Sequence, residues 1–142
     1  MARIVCDLPP RFGFATEVQV YINHVNQGGH LDNALLLTLV SEARVRFFRA
    51  LGHSEANVGG LPIVVGDMQA QYRSEAYHGE TLRVEMMPMD LGRCAFDLVW
   101  RITEVVQGRE VARGKSGIVF VDGATRRAAT MPEAVRGQLL AL

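Results

Sequence analysis

The sequence predicts an α+β protein in which an antiparallel β-sheet wraps one long central α-helix. A single long helical pattern stands early in the chain, and four strand-like segments follow it with only short breaks between them. Such short breaks are typical of antiparallel hairpins. The length of 142 residues fits one domain spanning 1–142. One helix cannot cover both faces of a wide sheet, so we expect an edge strand or the outer face to meet another subunit.

The first element is a predicted strand over Ala15–Ile22. Its Val18, Val20 and Ile22 alternate with polar or amphipathic neighbours, as in a half-buried strand. A turn containing Gly28 and Gly29 follows, and it leads directly into the helical pattern.

The central helix is predicted to begin after Asp32 or Asn33 as the N-cap and to end before Gly52. Its apolar residues cover much more than one stripe, which is typical of a helix inside a core. Its charge-free first half is far too short to span a membrane.

The remaining elements are four strands and a short closing helix. The last helix is predicted from a Thr130–Glu133 capping box with Pro132 early in the helix, and it runs to Leu142. The predicted strands are Ile63–Tyr72, Thr81–Met87, Cys94–Val106 and Val111–Val121.

Composition excludes several classes of function. The 15 basic and 15 acidic side chains balance, which leaves no electrostatic signature of binding to nucleic acid or an anionic membrane. Cys6 and Cys94 lack metal-ligand spacing, so we expect reduced thiols, no metal and no cofactor. Since the first residues lack the apolar core of a signal peptide, we expect a cytoplasmic protein.

The glycine turn and the helix start also suggest chemistry. Glycines let a ligand approach the backbone, and unpaired N–H groups at a helix N-terminus can face a ligand oxygen. This pattern favours an oxyanion site, although a well-capped helix with no ligand is the commoner structure. The amides predicted for the site are those of Gly29, His30, Leu31, Asp32 and Asn33.

Several blocks of sequence resemble the hotdog-fold thioesterases of the 4-hydroxybenzoyl-CoA thioesterase-like group, and also the acyl carrier protein (ACP) thioesterases. The family has an Asp, a glycine turn, His-Val-Asn-Asn and a helix with Glu-Ala-Arg. The corresponding segments here are Asn26–Asn33, Ser41–Arg44, Phe48–Gly52, Gln71-Tyr72, His78–Leu82, Arg126-Arg127 and Met131-Pro132. The blocks occur in the family's order and spacing from about Thr16 to Glu133.

The resemblance implies hydrolysis of an acyl thioester, acyl-CoA or acyl-ACP, by a homodimer or a dimer of dimers. The site would lie at the dimer interface. The resemblance also implies that the substrate-binding site is lined by Pro62, Ile63, Val64 and Tyr72. Five basic residues are candidates to bind the phosphates of CoA, although solvated surface side chains are the alternative. They are Arg101, Arg113, Lys115, Arg126 and Arg127.

One departure from the family matters for the chemistry. Asn26 stands where many relatives carry the catalytic Asp, and an amide cannot act as a base. The candidate bases are His30 and Glu42, but Glu42 is also placed to pair with Arg46. Two alternatives to hydrolysis remain open. One is a hotdog protein that binds acyl thioesters without cleaving them, and the other is a hydratase or dehydratase using His30 and Asp32.

Overall fold

The computed structural model describes residues 1–142 and contains one five-stranded antiparallel sheet with a long helix packed on it. The sheet order is β1-β3-β4-β5-β2, so β1 and β2 form its two edges. The predicted α+β class is confirmed. The bounds are β1 Phe14–Gln19, α1 Leu36–Ala50, β2 Ile63–Tyr72, β3 Thr81–Met89, β4 Ala95–Glu104, β5 Glu110–Phe120 and α2 Glu133–Leu140, with a 3₁₀ turn at Ile22–His24.

The inner face of the sheet is apolar because each strand alternates with period two. On β4 the buried apolar side chains are Phe96, Leu98, Trp100 and Ile102, all of which belong to the core that contains α1. The Trp100 ring lies over Gly114 of β5, where a Cβ atom would stand only 2.5 Å from the ring. A side chain at that position would therefore push the two strands or the ring apart.

The outer face carries paired charges. Lys115 lies 2.8 Å from Asp67 and 3.0 Å from Asp97, and Arg101 lies 2.8 Å from Glu85. These cross-strand pairs satisfy the polar side of a sheet whose other side is core.

The predicted burial of α1 is only partly right. Leu36, Leu39 and Val40 are buried, but Leu37 is half-buried and Val45 is 36% exposed. A stripe of the helix therefore stays open in the single chain, because one sheet covers only one side of a helix.

The two ends of α1 behave differently from each other. The prediction of Asp32 or Asn33 as the N-cap is wrong, because the N-cap is Leu35, whose side chain makes no capping bond. The Asp32 carboxylate instead closes the preceding turn, accepting bonds from the N–H groups of Ala34 and Leu35 at 2.9 and 3.1 Å. These residues form a tight turn, so regular helix begins only at Leu36. At the other end Gly52, with φ of 86°, terminates the helix as expected.

Several boundaries predicted from the sequence are shifted by one or two residues, and the start of α2 and the end of β1 differ for clear reasons. Thr130 does not cap α2, because its hydroxyl accepts a bond from Arg93 and Pro132 occupies the N-cap without a side-chain bond. The first strand ends at Gln19 because Ile22 belongs to the 3₁₀ turn. Neither α-helix has the length and apolar content that crossing a membrane requires.

Candidate active site

A cavity lies where the loop before α1 meets the loop after β2. The two loops are joined by a hydrogen bond of 2.7 Å, donated by the Leu31 N–H to the Ala76 carbonyl. The cavity has a volume of about 460 Å³. Its walls are Asn26, His30, Leu31, Asn33, Leu36, Tyr72, Arg73, Ser74, Glu75, Ala76 and Val111.

Asn26 is held by the turn that it begins. Its side-chain oxygen accepts a hydrogen bond of 3.0 Å from the Gly28 N–H. Because an N–H group needs an acceptor, this bond fixes which side-chain atom of Asn26 is oxygen. The NH₂ group of Asn26 then has no partner within the chain, and it is available to a ligand.

His30 stands between Gly28 and Glu75. Its Nε2 atom is 3.3 Å from the Glu75 carboxylate. A Cβ atom on Gly28 would come within 3.0 Å of the same Nε2 atom, so the ring is closely confined on that side. The second carboxylate oxygen of Glu75 accepts a bond of 3.3 Å from the Tyr77 hydroxyl.

The predicted set of oxyanion amides must be reduced. The N–H of Gly29 donates to the Asn26 carbonyl at 3.0 Å, and that of Asp32 donates to the His24 carbonyl at 2.9 Å. The N–H of Leu31 is engaged with Ala76, as described above. Of the five predicted amides, those of His30 and Asn33 alone have no acceptor in the chain. The other three N–H groups donate to backbone carbonyls of the chain and are not free to bind a ligand.

Tyr72 closes one side of the cavity. Its hydroxyl donates a bond of 2.7 Å to the Asn33 carbonyl, which ties the end of β2 to the start of the α1 turn. Burial, followed by the nearby charge of Asp32, raises the pKa of Tyr72 above its ordinary value. The hydroxyl therefore stays protonated and remains a donor at neutral pH.

The other predicted lining residues, Pro62, Ile63 and Val64, are not at this cavity. They stand at the opposite end of β2, which has ten residues. At about 3.3 Å per residue, that end lies about 30 Å from Tyr72 in the same chain.

Glu42 is also separated from Asn26 and His30. Its carboxylate lies 3.5 Å from Arg46, which is one turn later on α1. Arg46 in turn donates hydrogen bonds to Thr16 and Glu17 of β1, so this side of the helix faces β1. It lines a second cavity of about 270 Å³ together with His24. Within one chain, Glu42 therefore does not reach the first cavity.

The Asp32 carboxylate is committed to its bonds with the Ala34 and Leu35 N–H groups. Although Asp32 is near His30 in sequence, its side chain does not line the cavity. A hydratase site built on His30 and Asp32 gains no support from this arrangement.

Sequence reasoning also missed two charged residues at the cavity. Glu75 follows β2 in a loop without a recognisable motif, and Arg73 stands at the cavity wall with no side-chain partner. By contrast, the candidate phosphate ligands Arg101, Arg113 and Lys115 are each paired with a carboxylate on the sheet. The unpaired cation at the cavity is therefore Arg73, which was not among the basic residues expected to bind phosphate.

Comparison with known proteins agrees with the fold. A 1,4-dihydroxy-2-naphthoyl-CoA thioesterase from Synechocystis superimposes with a TM-score of 0.82 at 19% identity, covering 91% of this chain and 96% of that one. A thioesterase from Thermus thermophilus, solved with coenzyme A and Zn, superimposes with a TM-score of 0.77 at 25% identity, covering 91% of this chain and 98% of that one. A search of curated protein sequences gave no significant match.

A sequence model of the thioesterase-like superfamily matches residues 20–139, which is most of the chain. The match includes both loops of the cavity, all of α1 and the four strands from β2 to β5. The hotdog resemblance expected from the sequence blocks is thus confirmed at the level of fold and family. The chain belongs to the thioesterase-like superfamily and has the fold of a hotdog thioesterase.

Proposed function

We propose that the protein hydrolyses an acyl-CoA thioester in the cavity between the Asn26–Asp32 loop and the end of β2. The observation that carries the proposal is the set of unpaired hydrogen-bond donors on residues of this cavity. They are the NH₂ group of Asn26 and the backbone N–H groups of His30 and Asn33. Family membership supports the reaction class, and the unpaired donors support this cavity as its proposed location.

Carbonyl polarisation is the first part of the proposed mechanism. A thioester carbonyl gains negative charge on its oxygen when water adds to its carbon, and fixed N–H donors stabilise that charge. Asn26 can serve here as a donor although it cannot serve as a base. The side chains of the same chain that could act as the base at this cavity are His30 and Glu75.

The proposed substrate class rests on the charge and shape of the cavity. Arg73 offers an unpaired guanidinium, which suits the phosphates of coenzyme A. Leu31, Leu36 and Val111 offer an apolar wall for an acyl group. The coenzyme A bound by the Thermus thermophilus thioesterase supports the same class of substrate.

We further propose that a second copy of the chain completes the site. β2 is an edge strand, so one row of its backbone groups has no partner in the chain. Antiparallel pairing of two β2 strands about their midpoints would bring Ile63 of one copy beside Tyr72 of the other. Pro62–Val64 would then border the partner's cavity, which agrees with the substrate-lining role implied by the family resemblance.

The decisive experiment is thiol release from short, medium, long and aryl acyl-CoAs. The native protein is compared with Asn26→Asp, which keeps an oxygen to accept the Gly28 bond and adds a carboxylate. Asn57→Asp is the matched control, because Asn57 accepts an equivalent turn bond from Gly60 at 2.8 Å in a different loop. We expect turnover by the native protein on at least one acyl-CoA.

The alternative function, acyl-thioester binding without cleavage, is favoured by the amide at position 26. It predicts no turnover by the native protein, turnover by Asn26→Asp and none by Asn57→Asp. No turnover by any of the three on the whole panel would overturn thioester hydrolysis at this site.

A further inference from the structure

Glu75 is the one carboxylate among the side chains that line the first cavity. The acidic residues that the sequence suggested as chemical groups lie elsewhere, since Asp32 closes the turn before α1 and Glu42 pairs with Arg46. A hydrolase needs a group that removes a proton from the attacking water. Within one chain, Glu75 is the one acidic side chain that reaches the cavity where that water would attack.

The position of Glu75 is fixed from several directions. One carboxylate oxygen is 3.3 Å from His30 Nε2, and the other accepts the bond from Tyr77. The backbone carbonyl of Glu75 accepts a bond from Arg109, and the next residue, Ala76, is bonded to Leu31. The carboxylate is therefore held beside His30 while 55% of the side chain remains accessible.

Glu75 and Asn26 border the same confined ring. A Cβ atom on Gly28 would lie 3.0 Å from His30 Nε2 and 3.3 Å from the Asn26 side-chain oxygen, and Glu75 lies 3.3 Å from the same nitrogen on the other loop. Asn26 and Glu75 line the same cavity, so Glu75 can supply a carboxylate to a site where position 26 holds an amide.

We propose that Glu75 is the general base of the hydrolysis and supplies the carboxylate that Asn26 does not provide. This inference rests on the proposed function. Glu75 removes a proton from water, and the water oxygen forms a bond with the thioester carbon as the carbonyl electron pair moves to oxygen. When that pair returns, the C–S bond breaks, and the leaving thiolate takes the proton from Glu75. The products are a carboxylic acid and a thiol.

A purely structural role for Glu75 predicts a different outcome. An exposed contact such as that between Glu75 and His30 contributes little to stability. If Glu75 had only this role, its loss would leave the fold and kcat nearly unchanged. Loss of a general base lowers kcat by about 100- to 10,000-fold.

The test is Glu75→Gln, which keeps the side-chain shape and an oxygen to accept the Tyr77 bond. We expect a fall in kcat of about 100- to 10,000-fold with little change in KM or melting temperature. Glu17→Gln is the matched control, since Glu17 is on β1 and its side chain has no partner. It should retain native kcat.

A double variant tests whether a carboxylate at position 26 can replace the carboxylate of Glu75. Asn26→Asp in the Glu75→Gln background restores a carboxylate to the same cavity, and we expect it to recover much of the lost kcat. Native turnover with an equally active Glu75→Gln would overturn this inference and leave the proposed function intact. A native protein inactive on every acyl-CoA would overturn both.

Discussion

At the scale of single residues, the cavity depends on the absence of a side chain at Gly28. The nearest atoms to a Cβ there would be His30 Nε2 at 3.0 Å and the Asn26 side-chain oxygen at 3.3 Å. Both are tighter than ordinary van der Waals contacts, and both belong to side chains of the proposed site. Glycine at this position therefore lets the turn pack directly against the histidine.

Gly28→Ala should lower kcat by about 10- to 100-fold, because displacement of a catalytic group by a fraction of an ångström is costly. The measurement is steady-state hydrolysis of the best acyl-CoA found for the native protein. Gly137→Ala in α2 is the control, since a Cβ there meets nothing within 4 Å. A Gly28→Ala protein with native kcat would show that the ring does not need its observed place.

The residues of the site differ in how far the sequence could reveal them. Asn26 and His30 belong to one continuous motif, and both line the cavity. Glu75 belongs to the other loop, and its proximity to His30 depends on the bond between Leu31 and Ala76. Glu42 was a reasonable candidate as a helix carboxylate, but helix rotation turns it towards β1. Such facts follow from tertiary contacts that no local pattern encodes.

At the scale of elements, β2 was predicted with its full bounds, whereas helix starts were not. Strand bounds follow from alternation and nearby turn residues. Helix starts depend on which hydrogen-bond partner each polar side chain has in the folded protein, and the local sequence does not specify that partner. Thr130 fits a capping box by sequence, yet its hydroxyl bonds with Arg93.

The β4–β5 hairpin is closed by a carboxylate that has almost no accessible surface. Glu104 is 2% exposed and accepts bonds of 2.7 and 2.8 Å from the N–H groups of Gln107 and Val106. These two bonds, that of Gln107 foremost, hold the pKa of Glu104 below its ordinary value of 4.5. The charged form is thus favoured in the folded protein.

We predict that Glu104→Gln lowers the melting temperature at pH 7 and that the difference from the native protein shrinks in acid. A lowered folded pKa stabilises the fold fully above the unfolded pKa, and the benefit is lost as pH falls through the folded pKa. Thermal melts at pH 7 and about pH 3 measure the difference. Glu17→Gln, which also removes one negative charge, is melted under the same two conditions as the control. A constant difference for Glu104→Gln would contradict the assignment.

At the scale of the whole molecule, the single chain leaves a strand edge unpaired and part of its apolar surface uncovered. The edge of β2 is unpaired, and Val65 on that strand is 36% exposed. The α1 stripe containing Leu37 and Val45 is also incompletely covered. The sequence predicted a second subunit because one helix cannot cover a wide sheet, and the choice of the β2 edge as its contact is our proposal.

Val65→Lys should convert the proposed dimer to a monomer and reduce hydrolysis, because the partner's Pro62–Val64 would leave the site. Sedimentation velocity and thiol release measure the two effects. The matched control is Val106→Lys in the β4–β5 turn, where Val106 is 87% exposed. It should remain dimeric. A dimeric Val65→Lys protein would place the interface elsewhere.

The strand order also has a consequence for the order of folding. β3, β4 and β5 are consecutive in the chain and adjacent in the sheet, so they can form by local hairpins. β2 must pair with β5, and β1 with β3, across longer stretches of chain than any hairpin, and long-range pairing is slow because loop closure precedes any contact energy. We therefore expect both edge strands to join the sheet after the β3–β4–β5 unit. If another copy captures the free edge of β2 in that step, the refolding rate will depend on protein concentration.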